Sequence, residues 1–283
     1  MKKLAAIFTA VVMLTSPFVV NASPQQDLKD FRAFFKNKFP ATPMNDFING
    51  VYSIHKASRE QWEAFEEFPS YEIYVDKGEA LFNDTKFKNG KGFKDCFPKG
   101  QQGIKGTYPY FSAKSGKVVT LEGDINKCIT SNGSEKWGWK KGKMAYLSAY
   151  LAYQTRGQTI NVNTPKGEAA VAAYNRGKAH FYAKRGQLNM SCADCHYYYS
   201  GNKIRADILS PALGHVSHFP VYRNKWAKKS GDGMGTLHRR YGGCNKQVRA
   251  RPFKAQSAEY SALEYFHTYM SNGLKWNGPG QRK

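Results

Sequence analysis

Hydrophobic and polar positions alternate with the period of a helix in two stretches that end at a glycine, residues 144–157 and 260–273. Apolar residues recur there at spacings of three and four, and a closing glycine is a common helix terminator. The pattern predicts two amphipathic helices. Residues 169–173 predict a further helix that leads into the segment after them, and residues 117–121 have the composition of one short strand or hairpin arm.

The longest apolar run lies at the N-terminus, over residues 4–20. Two lysines precede it and small residues follow it, as in the three regions of a secretory signal peptide. A single membrane anchor is the alternative, but Pro17 interrupts the run before the roughly 20 residues that a span needs. We predict that residues 1–22 are a cleaved signal peptide. The mature chain, without a membrane span, is then expected in the bacterial periplasm, where disulfides form.

Composition and charge narrow the class of protein. The chain has 283 residues with 14% aromatic residues, enough for a buried core, so disorder and collagen-like fibres are excluded. Its net charge is +22, but the lysines are scattered singly and in pairs without a recognition motif, and an exported protein does not meet nucleic acid. We expect the charge to steer an anionic substrate or an acidic partner protein toward the site.

Cys192, Cys195 and His196 form a CxxCH motif. In this motif two thiols bind the haem vinyl groups and the histidine becomes an iron ligand, which predicts one covalently bound haem c. A redox pair or half a zinc site is the alternative. No second CxxC completes a zinc site, and a thioredoxin-like pair does not need His196.

A repeat relates the segment before this motif, residues 175–181, to an earlier segment, residues 76–82. Cys96 and Cys195 each lie 18 residues after the glycine of their segment. Cys96 therefore corresponds to Cys195. We call residues 76–157 the first copy and residues 175–273 the second copy.

The first copy has lost the haem motif. In the register of the repeat, Phe93 stands at the position of Cys192 and Phe97 at the position of His196. One thioether anchor and the proximal ligand are therefore missing. The first copy cannot hold haem c by this motif.

Cys128 and Cys244 are also equivalent, because each lies 29 residues before the glycine that closes its copy. If a haem once occupied both copies, each of these cysteines would face an iron. In the first copy Cys96 and Cys128 would then remain close, and we predict a disulfide between them. Two buried free thiols are the alternative, which an oxidising compartment disfavours.

Cys244 is left unpaired beside Arg239, Arg240 and two glycines, a setting that favours a thiolate and close approach of a bulky group. It is a candidate second ligand of the haem iron. Met234 is the main rival, since His/Met ligation is usual in electron-transfer cytochromes c. The repeat favours Cys244, because Cys128 has its counterpart there and Met234 has none. Four histidines are further rivals: His215, His218, His238 and His267.

The repeat predicts a mainly α-helical fold of two cytochrome-c-like domains in tandem. The first, residues 23–160, is degenerate and without haem. The second, residues 161–283, holds the haem and the reactive cysteine. The division is expected within residues 157–165.

The CxxCH motif, the segment RYGGCNKQVR at residues 240–249 and the ending EYSALE at residues 259–264 together resemble the SoxA family over essentially the whole mature chain. Its members are catalytic subunits of SoxAX cytochromes, L-cysteine S-thiosulfotransferases of bacterial thiosulfate oxidation. The missing first CxxCH resembles the monohaem form. The resemblance implies a heterodimer with SoxX, which carries another haem c, and a carrier protein, SoxYZ, whose cysteine accepts thiosulfate.

The resemblance also implies roles for single residues. Cys244 matches the family's haem-ligating cysteine, seen as a persulfide, and Arg240 matches its active-site arginine. Coupling thiosulfate to a thiol forms an S–S bond and releases two electrons, so the reaction needs a sulfur nucleophile, an anion clamp and electron acceptors. Arg249 is a weaker second candidate for the clamp.

Two other functions stay open at this point. A plain periplasmic electron-transfer cytochrome c, with His196 and Met234 as iron ligands, explains the haem motif and the basic surface. It leaves the two equal 29-residue spacings unexplained. A basic periplasmic binding module with an idle haem explains least.

Overall fold

The computed structural model describes residues 23–282. The signal peptide predicted for residues 1–22 lies outside the described residues. Within them, no helix is both long and apolar enough to cross a membrane. The chain is mainly helical, with short strands at its edges.

Ten α-helices form the scaffold of residues 23–282: α1 (Pro24–Lys38), α2 (Lys56–Glu66), α3 (Glu72–Asp84), α4 (Phe93–Cys96), α5 (Leu121–Ser131), α6 (Lys143–Tyr153), α7 (Glu168–Tyr182), α8 (Asn224–Ser230), α9 (Leu237–Gln247) and α10 (Ala258–Tyr269). Shorter helical turns lie at Met44–Ser53, Gly100–Gln102, Lys105–Thr107, Asp194–Tyr198 and His215–His218. The helices predicted over residues 144–157 and 260–273 are α6 and α10. The helix predicted at residues 169–173 is the start of α7.

In the described part of the chain, seven short strands accompany the helices: β1 (Tyr110–Ser112), β2 (Lys117–Val119), β3 (Lys203–Ile204), β4 (Asp207–Ile208), β5 (Val221–Arg223), β6 (Met234–Gly235) and β7 (Gly280–Arg282). Strands β1 and β2 form an antiparallel hairpin, which confirms the strand predicted at residues 117–121. Strands β3 and β4 form another. Strand β5 is central in a three-stranded sheet, antiparallel to β6 and parallel to β7.

The two copies repeat the same close helix crossing. A Cβ on Gly78 of α3 would lie 2.1 Å from the carbonyl oxygen of Tyr146 on α6. A Cβ on Gly177 of α7 would lie 2.0 Å from the carbonyl oxygen of Ala262 on α10. Both distances are too short for any side chain. Each glycine therefore lets one helix rest directly on the backbone of its partner.

We expect Gly78→Ala and Gly177→Ala each to lower the free energy of unfolding by roughly 2–3 kcal/mol or more, because the helices must separate. The loss exceeds the gain of about 1 kcal/mol in helix propensity. Urea unfolding measures the change. Gly138→Ala is the matched control, since a Cβ there meets no described atom within 4 Å. An effect as small as that of the control would contradict the close crossing.

Two hydrophobic cores correspond to the two copies, and some residues from elsewhere in the chain join each of them. Phe31 and Phe35 of α1 pack with Phe181 and other residues of the second copy rather than with the first copy, which follows them in sequence. Met234 conversely packs in the core of the first copy. The boundary at residue 160 remains a proposal, and α1 joins the second core because its aromatic face has its partners there.

The segments that follow α6 and α10 pair with each other about a local twofold axis. Ile160 donates its N–H to the carbonyl of Leu274, and Trp276 donates to the carbonyl of Gln158, both at 2.8 Å. A shift of 116 positions, the register of the repeat, converts one bond into the other. The two copies therefore contact each other through equivalent residues.

Buried charges also join the copies. Lys105 Nζ lies 3.7 Å from Glu122 Oε1 and 4.0 Å from Glu264 Oε1, and His238 Nε2 lies 3.1 Å from Glu264 Oε2. Burial alone would raise the pKa of Glu264, but the His238 hydrogen bond and the Lys105 charge outweigh it and lower the pKa. Glu264 is therefore held as a carboxylate that ties the second copy to Lys105 of the first.

The structure contains the predicted disulfide between Cys96 of α4 and Cys128 of α5. The bond closes a loop with a sequence separation of 32. Phe93 is fully buried one turn before Cys96, and aromatic packing against Phe87 and Trp137 accompanies it. Aromatic side chains and a covalent link therefore stabilise the copy that lacks the haem motif.

We expect the double substitution Cys96→Ala, Cys128→Ala to lower the free energy of unfolding by about 3–4 kcal/mol, because a loop of this length is no longer closed in the unfolded chain. Thermal unfolding without reductant measures the loss. With a reductant that opens the bond, the parent protein should approach the stability of the variant. Equal stability of both proteins without reductant would contradict a stabilising role for the bond.

Candidate functional site

The CxxCH segment forms a capped turn between α7 and β3. Ser191 donates its N–H to Asp194 Oδ2 at 2.7 Å, and Asp194 donates its N–H to Ser191 Oγ at 2.9 Å. The chain then continues as a π-helical turn over Asp194–Tyr198. Such turns are rare and occur often at functional sites. This turn presents Cys192, Cys195 and His196 together.

His196 is oriented by the backbone. Its Nδ1 lies 2.8 Å from the carbonyl oxygen of Ser210, so Nδ1–H donates and Nε2 is left as the basic nitrogen. A hydrogen bond also links the His196 side chain to Cys244. Histidines that ligate metals are held in this way, through the second ring nitrogen. The structure thus brings together the two residues that the sequence predicts as iron ligands.

Cys244 lies on α9, one turn after Arg240, so both side chains are on the same face of the helix. Burial raises the pKa of the Cys244 thiol, but Arg240, His196 and Arg223 outweigh this effect and lower the pKa to about 7. A thiolate is therefore accessible at neutral pH. Tyr241, on the same helix, is buried beside it.

The other two thiols of the site differ from Cys244. Burial raises the pKa of Cys192 to about 12, and it also raises the pKa of Cys195. Neither forms a disulfide, and Cys244 is unpaired too. Two unpaired thiols three residues apart, with an imidazole whose free nitrogen faces a third thiol, fit the donor set of a haem c.

The rival iron ligands lie elsewhere or have other partners. Met234 is fully buried in the core of the first copy. His238 contacts Glu264, and His267 Nε2 lies 3.1 Å from the carbonyl oxygen of Ala212. His215 is the nearest rival, because its ring centroid lies 5.0 Å from that of His196. It therefore lies beside His196 and not opposite it.

Of the remaining cations, Arg249 is exposed at the end of α9, and its Nη1 lies 3.5 Å from Gln187 Oε1. Sequence analysis missed Arg223, at the end of β5. Burial lowers its pKa to about 10 and Arg240 adds to the shift, so Arg223 stays protonated at neutral pH. No motif marks Arg223, because only the pairing of β5 with a distant strand brings it to the site.

Comparisons with known proteins identify the family. The family model "SoxA/TsdA, cytochrome c domain" matches residues 77–160. A protein of Chlorobaculum tepidum called "L-cysteine S-thiosulfotransferase subunit SoxA" is 52% identical over 257 residues, which cover 91% of this chain and 87% of that protein. The chain belongs to the SoxA family. A relative of the same name in Allochromatium vinosum is 47% identical over 99% of this chain and 98% of its own length.

A solved SoxA-family structure has the same fold. The crystal structure of SoxXA from P. pantotrophus matches with a TM-score of 0.71 and 33% identity, covering 79% of this chain and 84% of that chain. The prediction of a mainly helical, cytochrome-c-like fold is thereby confirmed. The family model covers the first copy, which lacks the CxxCH motif, so this copy is a cytochrome c domain by descent. A cytochrome c domain implies haem c as the cofactor of the chain.

Proposed function

We propose that this chain catalyses the oxidative coupling of thiosulfate to a cysteine of the SoxYZ carrier protein in the periplasm, as an L-cysteine S-thiosulfotransferase. The observation that carries the proposal is the arrangement of Cys244, which faces His196 and lies one turn from Arg240. A plain electron carrier needs neither a reactive thiol nor an arginine beside it. The names of the relatives add support.

Cofactor attachment follows from the donor set. Cys192 and Cys195 would hold one haem c covalently, and His196 and Cys244 would be ligands of its iron. When bound, the haem would supply a one-electron acceptor next to the reacting sulfur. The carbonyl oxygen of Ser210 orients the His196 ring through Nδ1, which leaves Nε2 available as a ligand atom.

Arg240 and Cys244 have separate roles in the sulfur chemistry. Arg240 binds the sulfonate end of thiosulfate, because its planar fork reaches two oxygens at once. The Cys244 thiolate, or a persulfide on it, forms an S–S bond with the outer sulfur of thiosulfate, and this step releases two electrons to one-electron acceptors. The carrier thiolate then attacks that outer sulfur by thiol–disulfide exchange, so that the thiosulfate group moves to the carrier and the Cys244 sulfur leaves as a thiolate. Arg249, exposed two residues after the end of α9, is a weaker candidate for the anion clamp.

Electron balance requires a partner. Joining a thiol to thiosulfate forms one S–S bond and releases one proton and two electrons, whereas one ferric haem accepts a single electron. We infer that the chain forms a heterodimer with SoxX, whose haem c takes the second electron. The solved relative from P. pantotrophus is called SoxXA. The basic surface steers both thiosulfate and the carrier toward the site.

The test uses the chain purified from periplasm together with SoxX. Reduced SoxYZ and thiosulfate are added with an excess of an oxidised cytochrome, and the mass of the carrier cysteine is followed. We expect a thiosulfate adduct on that cysteine and reduction of two haem equivalents per adduct. Omission of thiosulfate is the control. Reduction of the cytochrome without an adduct would contradict the proposal and favour a plain electron carrier.

A further inference from the structure

The last strand carries a buried positive charge that contacts Tyr52 but forms no ion pair with a carboxylate in the described residues. Arg282, in β7, has all three guanidinium nitrogens shielded from solvent, and none of them meets hydrogen-bond geometry with an acceptor in the described part of the chain. The ring of Tyr52 lies against it, with 4.6 Å from the guanidinium carbon to the ring centroid. A buried cation without hydrogen bonds is costly, because water no longer solvates it. Such an exception calls for a missing anionic partner.

A second arginine stands beside it. Strand β7 runs parallel to β5, and the register places Arg282 directly opposite Arg223. Paired residues of neighbouring strands project to the same face, and like charges in such a pair destabilise the sheet. Two adjacent guanidinium groups therefore match a ligand with two negative groups.

The pair lies beside both predicted axial ligands. A Cβ on Gly50 would lie 2.6 Å from Arg282 Nη2 and 2.7 Å from Ser210 Oγ, so Arg282 approaches the residue whose carbonyl holds His196. Arg223 acts electrostatically on Cys244, on the other side. The two arginines therefore lie near Ser210, which orients His196, and in the neighbourhood of Cys244.

Aromatic side chains surround Arg282. Tyr52 and Trp62 stack with their centroids 5.1 Å apart, and both line a small pocket with Arg282. His218 is buried beside them, 6.3 Å from Trp62 between ring centroids. The charge of Arg282 is therefore enclosed mainly by rings.

We propose that Arg282 and Arg223 bind the two propionate carboxylates of the haem. The proposal rests on the haem attachment of the proposed function. The vinyl edge of a haem c is fixed by its two cysteines, and the propionates project from the opposite edge. Arginine binds carboxylates through two parallel hydrogen bonds, which suits a buried propionate.

The test compares the reduction potential and the resonance Raman propionate modes of the parent protein, Arg282→Met and Arg59→Met. Arg59 is the matched control, because it lies over the neighbouring Trp62 ring but is already paired with Asp46 and Glu63. Loss of a cation beside the haem stabilises the ferric form. We expect Arg282→Met to shift the potential to more negative values and to move the propionate modes, and Arg59→Met to change neither.

Other outcomes are equally informative. Unchanged potential and propionate modes in Arg282→Met, with a tenfold higher KM for thiosulfate, would overturn the proposal and assign Arg282 to the substrate sulfonate. If Arg282→Met does not accumulate, Arg282→Lys keeps the charge but loses the fork, and we expect a smaller shift with displaced propionate modes. An unaltered Raman spectrum of that variant would also overturn it. Because the haem is held by two thioether bonds, these spectra can be recorded even if no thiosulfate transfer is found.

Discussion

We expect Cys244→Met to lower thiosulfate transfer to the carrier thiol by roughly 10³-fold or more, the scale of losing a nucleophile. Methionine has no ionisable thiol and cannot exchange with an S–S bond. The fold should tolerate the change, because Cys244 is only partly buried and Gly243 beside it leaves open space on the helix. Haem attachment through Cys192 and Cys195 is independent of residue 244.

The electron paramagnetic resonance spectrum of the ferric protein tests how the same substitution changes the ligation of the iron. We expect a low-spin signal typical of thiolate ligation in the parent protein and its loss in Cys244→Met. Met234→Leu is the control, since Met234 is buried in the other core and the exchange conserves volume. A His/Met signal in the parent protein that persists in Cys244→Met would refute the sulfur-transfer function and leave an electron carrier.

Arg240→Met should lower kcat/KM for thiosulfate by on the order of 10²-fold, because a charge-assisted hydrogen-bonded pair contributes about 2–3 kcal/mol. The same charge also lowers the pKa of Cys244, so its removal makes the thiolate less available. Arg240→Lys keeps the charge but not the fork, and we expect an intermediate loss.

Steady-state kinetics with the carrier protein separates the two candidate clamps. Arg249→Met is the matched control, because Arg249 is on the same segment but exposed and turned toward Gln187. We expect it to change kcat/KM less than twofold. Equal losses in Arg240→Met and Arg249→Met would show that general positive charge, and not a positioned fork, binds the anion.

Features with a local or periodic signature could be predicted from the sequence. Helices α6 and α10 follow from apolar spacing and a closing glycine. The repeat register relates Cys96 to Cys195 and Cys128 to Cys244, and it is enough to predict the disulfide that the structure contains. The same register predicts that His196 and Cys244 are the two ligands of one iron. The reason is that equivalent positions in two related domains have equivalent surroundings, so Cys244 lies near Cys195 and His196 as Cys128 lies near Cys96.

Features that depend on distant pairing could not be predicted. Arg223 and Arg282 meet only through the parallel ladder of β5 and β7, two strands of three residues without a hydrophobic pattern of their own. The packing of α1 against the second core depends on which aromatic face is left uncovered after both copies fold. The contact of Lys105 with Glu264 joins two copies, and a buried ion pair leaves no spacing in the sequence.

The two copies contact each other through equivalent residues about a local axis, as the subunits of a symmetric dimer do. In this chain the two subunits are joined by a peptide. Each half supplies hydrogen-bond partners for the segment after the last helix of the other, and the first half also supplies Lys105 as a counter-charge for buried Glu264. The half without a haem motif thus takes the place of a partner subunit. Its removal would leave residues 273–276 without these backbone partners and Glu264 without the Lys105 charge.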